Sequence, residues 1–156
     1  MIDIAIPDFG RLKLNHLVMD YNGTLAEDGI LIDGVVHRLQ ALAGNLHLHV
    51  VTADTHGQVR RATAGIECTV HILAHDRQAQ GKRTYIRRLG PEQTVSIGNG
   101  RNDALMLDES ALGIAVIQTE GAFAGVLTAA DVVCTTILSA LDLLLYPLRL
   151  TATLRS

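Results

Sequence analysis

The feature that most limits the fold is a repeated alternation. Short apolar runs rich in β-branched residues are separated by segments whose apolar residues follow helical spacing. The strand candidates are Leu17-Val18-Met19, Leu46 to Thr52, Thr69 to Leu73, Val95-Ser96-Ile97, Gly113 to Ile117 and Val132-Val133-Cys134. Apolar runs of this length suit strands buried on both faces, and such strands belong to parallel sheets joined by helical crossovers. Between the first two runs, Asp33 is placed to cap a helix carrying Val35, Val36, Leu39, Leu42 and Ala43, with Gly44 just past its end. Further helices are expected near 56–65, 79–89, 102–109, 119–126 and 136–145. The pattern predicts an α/β fold: a three-layer, doubly wound, Rossmann-like and mainly parallel sheet with helices on both faces. Ile2 to Ile6 and Leu12 to Leu14 flank Pro7-Asp8-Phe9-Gly10 and predict an N-terminal β-hairpin on one edge of that sheet.

A length of 156 residues and a 48% hydrophobic share support one domain, spanning 1–156, around one sizeable core. Aromatic residues are 3% and Trp is absent, so Leu, Val, Ile and Ala must fill that core. A formal charge of −3 with no basic face argues against a nucleic-acid partner. Cys68 and Cys134 lie far apart and form no C-x-x-C pair, which suggests neither a zinc site nor a disulfide framework. Met1-Ile2-Asp3-Ile4 lacks the basic start of a signal peptide, and the apolar runs fall short of a membrane span. No membrane association and a cytoplasmic location are expected.

The most informative segment is Met19-Asp20-Tyr21-Asn22-Gly23-Thr24-Leu25, directly after an apolar run, where a parallel sheet presents its carboxyl ends to ligand. A carboxylate there can attack phosphorus if a cation and backbone amides neutralise the incoming charge. Gly23 and Thr24 would supply an amide-rich turn. Taken alone, Asp20 and Asn22 read equally well as turn formers after a strand. Three other segments shift the balance: Val50-Val51-Thr52-Ala53-Asp54, then Lys82, then Ser96-Ile97-Gly98-Asn99-Gly100-Arg101-Asn102-Asp103. Each ends or flanks a predicted strand.

Together these segments resemble the four ordered motifs of the haloacid dehalogenase (HAD) superfamily. Within it they are most similar to the phosphorylation domain of P-type ATPases: Asn22-Gly23-Thr24-Leu25 follows the nucleophile, Thr52-Ala53-Asp54 parallels Thr-Gly-Asp, and the likeness continues through Asn102-Asp103-Ala104 to Leu112-Gly113-Ile114-Ala115. The chain is identified as a capless, soluble, P-type-ATPase-like hydrolase with a HAD-type sheet. The resemblance implies that Asp20 is the nucleophile and that Thr52 and Ala53, with Gly23 and Thr24, bind the phosphoryl group. It also implies that Lys82 stabilises the phosphorylated aspartate, and that Mg²⁺ is held by Asp20, the Asn22 carbonyl, Asn99 and Asp103. Lys82 has support of its own, as one of only two lysines (with Lys13) among thirteen basic residues. A compact point charge suits a crowded phosphoryl site, although scarce lysine reads equally well as a mark of genome composition, and the motif order decides between them.

Two departures matter. Asn22 stands where the phosphatase branch has an acid–base aspartate, and loss of general acid–base catalysis costs about 10²–10⁴-fold. P-type ATPases also lack that carboxylate. Asn99 stands where most members have a metal-binding aspartate; one charge is lost, which shifts the burden to Asp103. Both asparagines precede glycine, a pairing prone to deamidation.

Between Leu25 and Val51 there is room only for a turn, a helix and a strand, and the segment from Asp54 to Lys82 is equally short. Neither a nucleotide-binding domain nor a cap fits. The site should be open, with the turn Ala26 to Gly29 as the only flap, and suited to a large phosphorylated substrate or to a homo-oligomer whose neighbour forms the lid. His47 and His49 project to one strand face, read as partly solvated rather than metal-binding, as are His71 and His75. Arg101 is equally a surface residue or a substrate contact. The expected activity is Mg²⁺-dependent phosphohydrolysis through phospho-Asp20, slowed by Asn22 and Asn99. The alternative is a catalytically weakened phosphate-binding or regulatory protein.

Overall fold

The computed structural model describes residues 1–53 and 58–156. Asp54 and the start of the helix expected near 56–65 lie outside the described residues. The elements follow in order as β1 (Ile2–Ile6), β2 (Gly10–Leu14), β3 (His16–Met19), β4 (Ala26–Glu27), β5 (Ile30–Leu31), α1 (Val35–Ala43), β6 (His47–Thr52), α2 (Gln58–Ala62) and β7 (Cys68–Ile72). After these come α3 (Gln78–Leu89), β8 (Thr94–Gly98), α4 (Ala104–Glu109), β9 (Leu112–Val116), α5 (Val126–Ala129), β10 (Val132–Cys134), α6 (Ile137–Leu145) and α7 (Pro147–Leu154).

The six strand runs read from the sequence form one parallel sheet in the order β10-β9-β8-β3-β6-β7. β3 is central, and Leu17, Val18 and Met19 are all fully buried. Adjacent strand residues face opposite ways, so Leu17 and Met19 join one core with Val35, Leu39 and Leu141, whereas Val18 joins a second with Ile86, Met106 and Leu107. Helices α1 and α6 cover the first face and α3 and α4 the second, giving the three-layer Rossmann-like α/β architecture. Every parallel strand delivers its carboxyl end to one edge of the sheet, where Asp20, Thr52 and Asn99 therefore collect.

Three expectations are corrected. The N-terminal hairpin forms, with Ile2 opposite Leu14, but as a separate two-stranded sheet rather than on an edge of the large one. Asn15 alone links it to β3, which is already flanked by β8 and β6, and one residue cannot carry the chain to an edge. Asn15 instead donates to Gln93 O and accepts from His47 N, and the hairpin packs its Ile2, Ile6, Leu12 and Leu14 with Leu150 of α7. Second, α1 is capped by Gly34 at φ 85°, with no side-chain cap bond, so Asp33 is not its cap. Third, the helix expected at 119–126 is only Val126–Ala129. Gly121 takes φ 75° and closes a turn onto Gln118 O. Glycines at 121 and 125 each cost an intended helix about 1 kcal/mol.

Among the described residues no single helix is long and apolar enough to cross a membrane. Helices α6 and α7 pass that test only as a pair, bent by 103° at their junction.

Candidate active site

Asp20 immediately follows β3, and its amide still donates to Ile97 O of β8 at 3.1 Å, so the sheet itself places the carboxylate at its edge. The residue is 8% exposed. Lys82 sits mid-way along α3 and is completely buried. Its ammonium donates to Asp20 Oδ1 at 2.5 Å and to Asp103 Oδ1 at 2.6 Å. Asp103 Oδ2 in turn accepts the Asn99 and Gly100 amides at 3.0 and 2.8 Å. Only glycine fits at 98, because a Cβ there would lie 2.5 Å from Asp103 Cγ.

With both carboxyls ionised, two carboxylates facing one ammonium would carry one net negative charge, which a buried site resists. Burial pushes the Asp20 carboxyl up to about 7, the Asp103 charge adds to the rise, and Lys82 only partly opposes it. Burial alone would depress the Lys82 ammonium, but the Asp20 and Asp103 carboxylates outweigh it and hold it above the ordinary lysine value. Lys82 thus stays charged beside a carboxyl poised between its two protonation states.

The turn after Asp20 is bound up in itself. Tyr21 O accepts the amides of Thr24, Leu25 and Ala26, and Gly23 N donates to Ala26 O. The expectation that Gly23 and Thr24 offer their amides to phosphate is therefore corrected: those N–H groups are already consumed, whereas the Asn22 amide stands outside this internal network. The Thr24 side chain is buried and donates to Asn99 Oδ1 at 3.1 Å. Asn99 Nδ2 donates to Gly121 O at 3.0 Å, so the Asn99 carboxamide is a strut between two loops. Asn22 is exposed at the mouth. Thr52, buried, and Ala53, half-buried, stand at the end of β6, two and three residues beyond Val50, which pairs with Met19. Neither Asn-Gly step is loose, since Gly23 N and Gly100 N both donate hydrogen bonds.

Arg101 is exposed, its guanidinium 5.9 Å from the centre of the Phe123 ring. His49 departs from its expected solvated face. It is buried, its Nε2 3.1 Å from His16 Nδ1 and its Nδ1 2.9 Å from Tyr85 Oη, while His71 stacks on Tyr85 at 4.8 Å between ring centres. His47 and His75 are exposed, as expected, and His71 is half-buried. Among the described residues no group of three or more His, Cys, Asp or Glu is arranged to hold a metal ion.

Sequence reasoning missed Gln118. Its Nε2 donates to Gly23 O at 3.1 Å and Thr24 O at 2.9 Å, and its Oε1 accepts from Ile137 N at 2.7 Å. Its only local signal was a polar residue at the end of an apolar run.

No protein-family model matches the chain. In fold it is similar to 3-deoxy-D-manno-octulosonate 8-phosphate phosphatases. The Moraxella catarrhalis enzyme, solved with magnesium, phosphate and KDO, superposes with a TM-score of 0.70 at 18% identity over 85% of this chain and 86% of that one. The cobalt-bound Haemophilus influenzae enzyme gives 0.72 at 16% over 92% and 94%, and the Yersinia pestis enzyme 0.68 at 15% over 98% and 95%. The likeness is one of fold: the central parallel sheet flanked by helices is the architecture these phosphatases share. In sequence the chain is 47% identical over 64 residues to the uncharacterized protein MJ0073 of Methanocaldococcus jannaschii, a match spanning 41% of this chain and 69% of that protein. The chain belongs to the same family as that archaeal protein.

Proposed function

We propose that the protein is a Mg²⁺-dependent phosphohydrolase acting in the cytoplasm on a phosphomonoester, with Asp20 as the nucleophile. The observation that carries this reading is the buried lysine shared by Asp20 and Asp103 at the carboxyl edge of the sheet. A carboxylate oxygen of Asp20 attacks phosphorus, an O–P bond forms as the ester O–P bond breaks, and the leaving group departs as an alkoxide that takes its proton from solvent water; a second water then attacks phosphorus and releases phosphate from Asp20. Lys82 keeps its charge throughout and faces the oxygens that gain negative charge. Asp103 holds Lys82 in place, and the Thr52 hydroxyl stands on the adjacent strand end as a donor to the phosphoryl oxygens. Asn22, at the mouth, orients substrate by hydrogen bonding but moves no proton, so the phospho-Asp20 intermediate persists.

The donors around Asp20 are all oxygen, which suits a hard cation. Magnesium commonly binds one or two carboxylates and completes its shell with water and substrate phosphate. Asp20 and the Asn22 carbonyl would hold it directly. Asn99 Oδ1 is engaged by Thr24 and the Asp103 oxygens by three donors, so these two contribute mainly through the local field. When bound, the cation neutralises phosphate charge. A cavity of about 430 Å³ lies beside the turn, between Gly23, Glu27, Gln118, Thr119, Glu120 and Thr136. Its lining among the described residues holds no Lys, Arg or His, which favours a neutral or cationic leaving group over an acidic one.

Hydrolysis of an aryl phosphate with Mg²⁺ tests the assignment. Loss of turnover in Asp20→Asn, with phosphate recovered on Asp20 in the parent, supports it; turnover unchanged in that variant refutes it. The second reading, a phosphate-binding regulatory protein, is favoured by the Asn99 strut and would hold if the parent binds inorganic phosphate without hydrolysing esters.

A further inference from the structure

The loop after β9 touches three separate parts of the site. Gln118 spans the nucleophile turn and the start of α6. Glu120 Oε1 accepts the Asp28 amide at 2.8 Å, at the tip of the β4–β5 hairpin that forms the flap. Gly121 O accepts Asn99 Nδ2, and Phe123 N donates to Asn99 O at 2.9 Å. A segment without regular structure thus ties together the turn, the flap and the last motif.

Gln118 is the residue of that loop with the least freedom. Both hydrogens of its amide nitrogen go to successive carbonyls of the turn, and its oxygen takes the first amide of α6, which lacks an intrahelical partner. Its orientation is set by all three bonds. The turn uses its own amides internally, so its outward carbonyls are the groups left by which it can be held, and Gln118 holds two of them. On the other side Asn99 is packed against Gly23, where a Cβ would come within 2.4 Å of Asn99 Nδ2. Two carboxamides therefore clamp the segment that begins with Asp20.

We propose that Gln118 is a positioning residue for phosphoryl transfer: it fixes the turn so that Asp20 and Asn22 keep register with the buried Lys82 ammonium. The inference rests on the phosphohydrolase reading. Misplacement of reacting groups by an ångström costs about 10²-fold, and the Gln118 bonds control displacements of that size.

The test compares kcat, KM and the thermal transition of the parent, Asp20→Asn, Gln118→Met and Gln118→Glu with an aryl phosphate and Mg²⁺. Gln118→Glu removes both donors and sets a carboxylate against two carbonyls, but regains one donor when protonated. The expected result is a folded protein whose kcat falls about 10²-fold with KM within a few-fold, and whose deficit relative to the parent shrinks as pH is lowered from 8 to 5. A role in stability alone would lower the thermal transition of Gln118→Met and leave kcat of the folded enzyme unchanged. A parent without activity removes the phosphohydrolase reading itself. An active parent with a dead Asp20→Asn, but Gln118 variants within twofold in kcat, overturns the positioning role alone. Failure of both Gln118 variants to fold assigns the residue to stability and likewise overturns the proposal.

Discussion

Helix α3 carries two polar clusters three residues apart, one buried and one partly buried, and they respond to burial in opposite chemical directions. At Lys82 it meets Asp20 and Asp103; at Tyr85 it meets His49, which continues to His16. Burial raises the Asp20 carboxyl to about 7 and lowers His49 to about 4, the positive character of His16 and His47 adding to the second shift. In both places the low dielectric favours the neutral form. The difference is that Lys82, with two carboxylates on it, stays charged, whereas among the described residues no acid is hydrogen-bonded to the His16–His49–Tyr85 chain. One cluster holds charge; the other is a neutral, partly buried hydrogen-bonded chain.

The largest effect should come from removing the charge that separates the two. Lys82→Met leaves two carboxylates buried without a counter-ion and should cost about 3–5 kcal/mol of stability along with all turnover; urea unfolding and the aryl phosphate assay read both. A loss below 1 kcal/mol would mean that the carboxylates are not both charged. Asn22→Asp, at an exposed position, should speed breakdown of the phospho-enzyme by about 10²-fold with little change in stability, as followed by decay of labelled protein. Asn99→Asp restores the more usual acid yet removes the donor to Gly121 O, and should cost about 1–3 kcal/mol without a matching gain in rate.

The smallest effects are in pH dependence, and the two clusters have opposite signs in metal-free protein. His49 is depressed when folded, so its contribution is present above its unfolded value of 6.5 and is lost as pH falls toward about 4. Asp20 is raised when folded, so its contribution is present below its unfolded value of 3.8 and is lost as pH rises through about 7. Relative to the parent, Asp20→Asn should gain stability as pH rises from 4 to 8, and His49→Phe should gain as it falls from 6.5 to 4. Unfolding free energies measured across that range would show parallel curves if burial does not set these protonation states.

Much of this was legible in the sequence. All six parallel strands were marked by apolar runs, because burial on both faces leaves a local signature, and Asp20, Lys82 and Asp103, singled out by motif order and spacing, come together in the fold. Gln118 was not, because its partners lie 94 and 95 residues away and its segment was mistaken for a helix from scattered apolar residues around two glycines. The hairpin was visible as a hairpin but misplaced, since which strand becomes central depends on pairings made across the whole chain.

The sequence by itself determined the β-α order and the place of Asp20 at the end of a buried strand, since periodicity and turn chemistry act over a few residues. Only the tertiary structure decided that Lys82 keeps its proton, that the Gly23 and Thr24 amides are spent inside the turn, and that Asn99 and Gln118 serve as struts. Those properties depend on dielectric and on the saturation of each donor and acceptor, which are set by neighbours distant along the chain and adjacent only once it has folded.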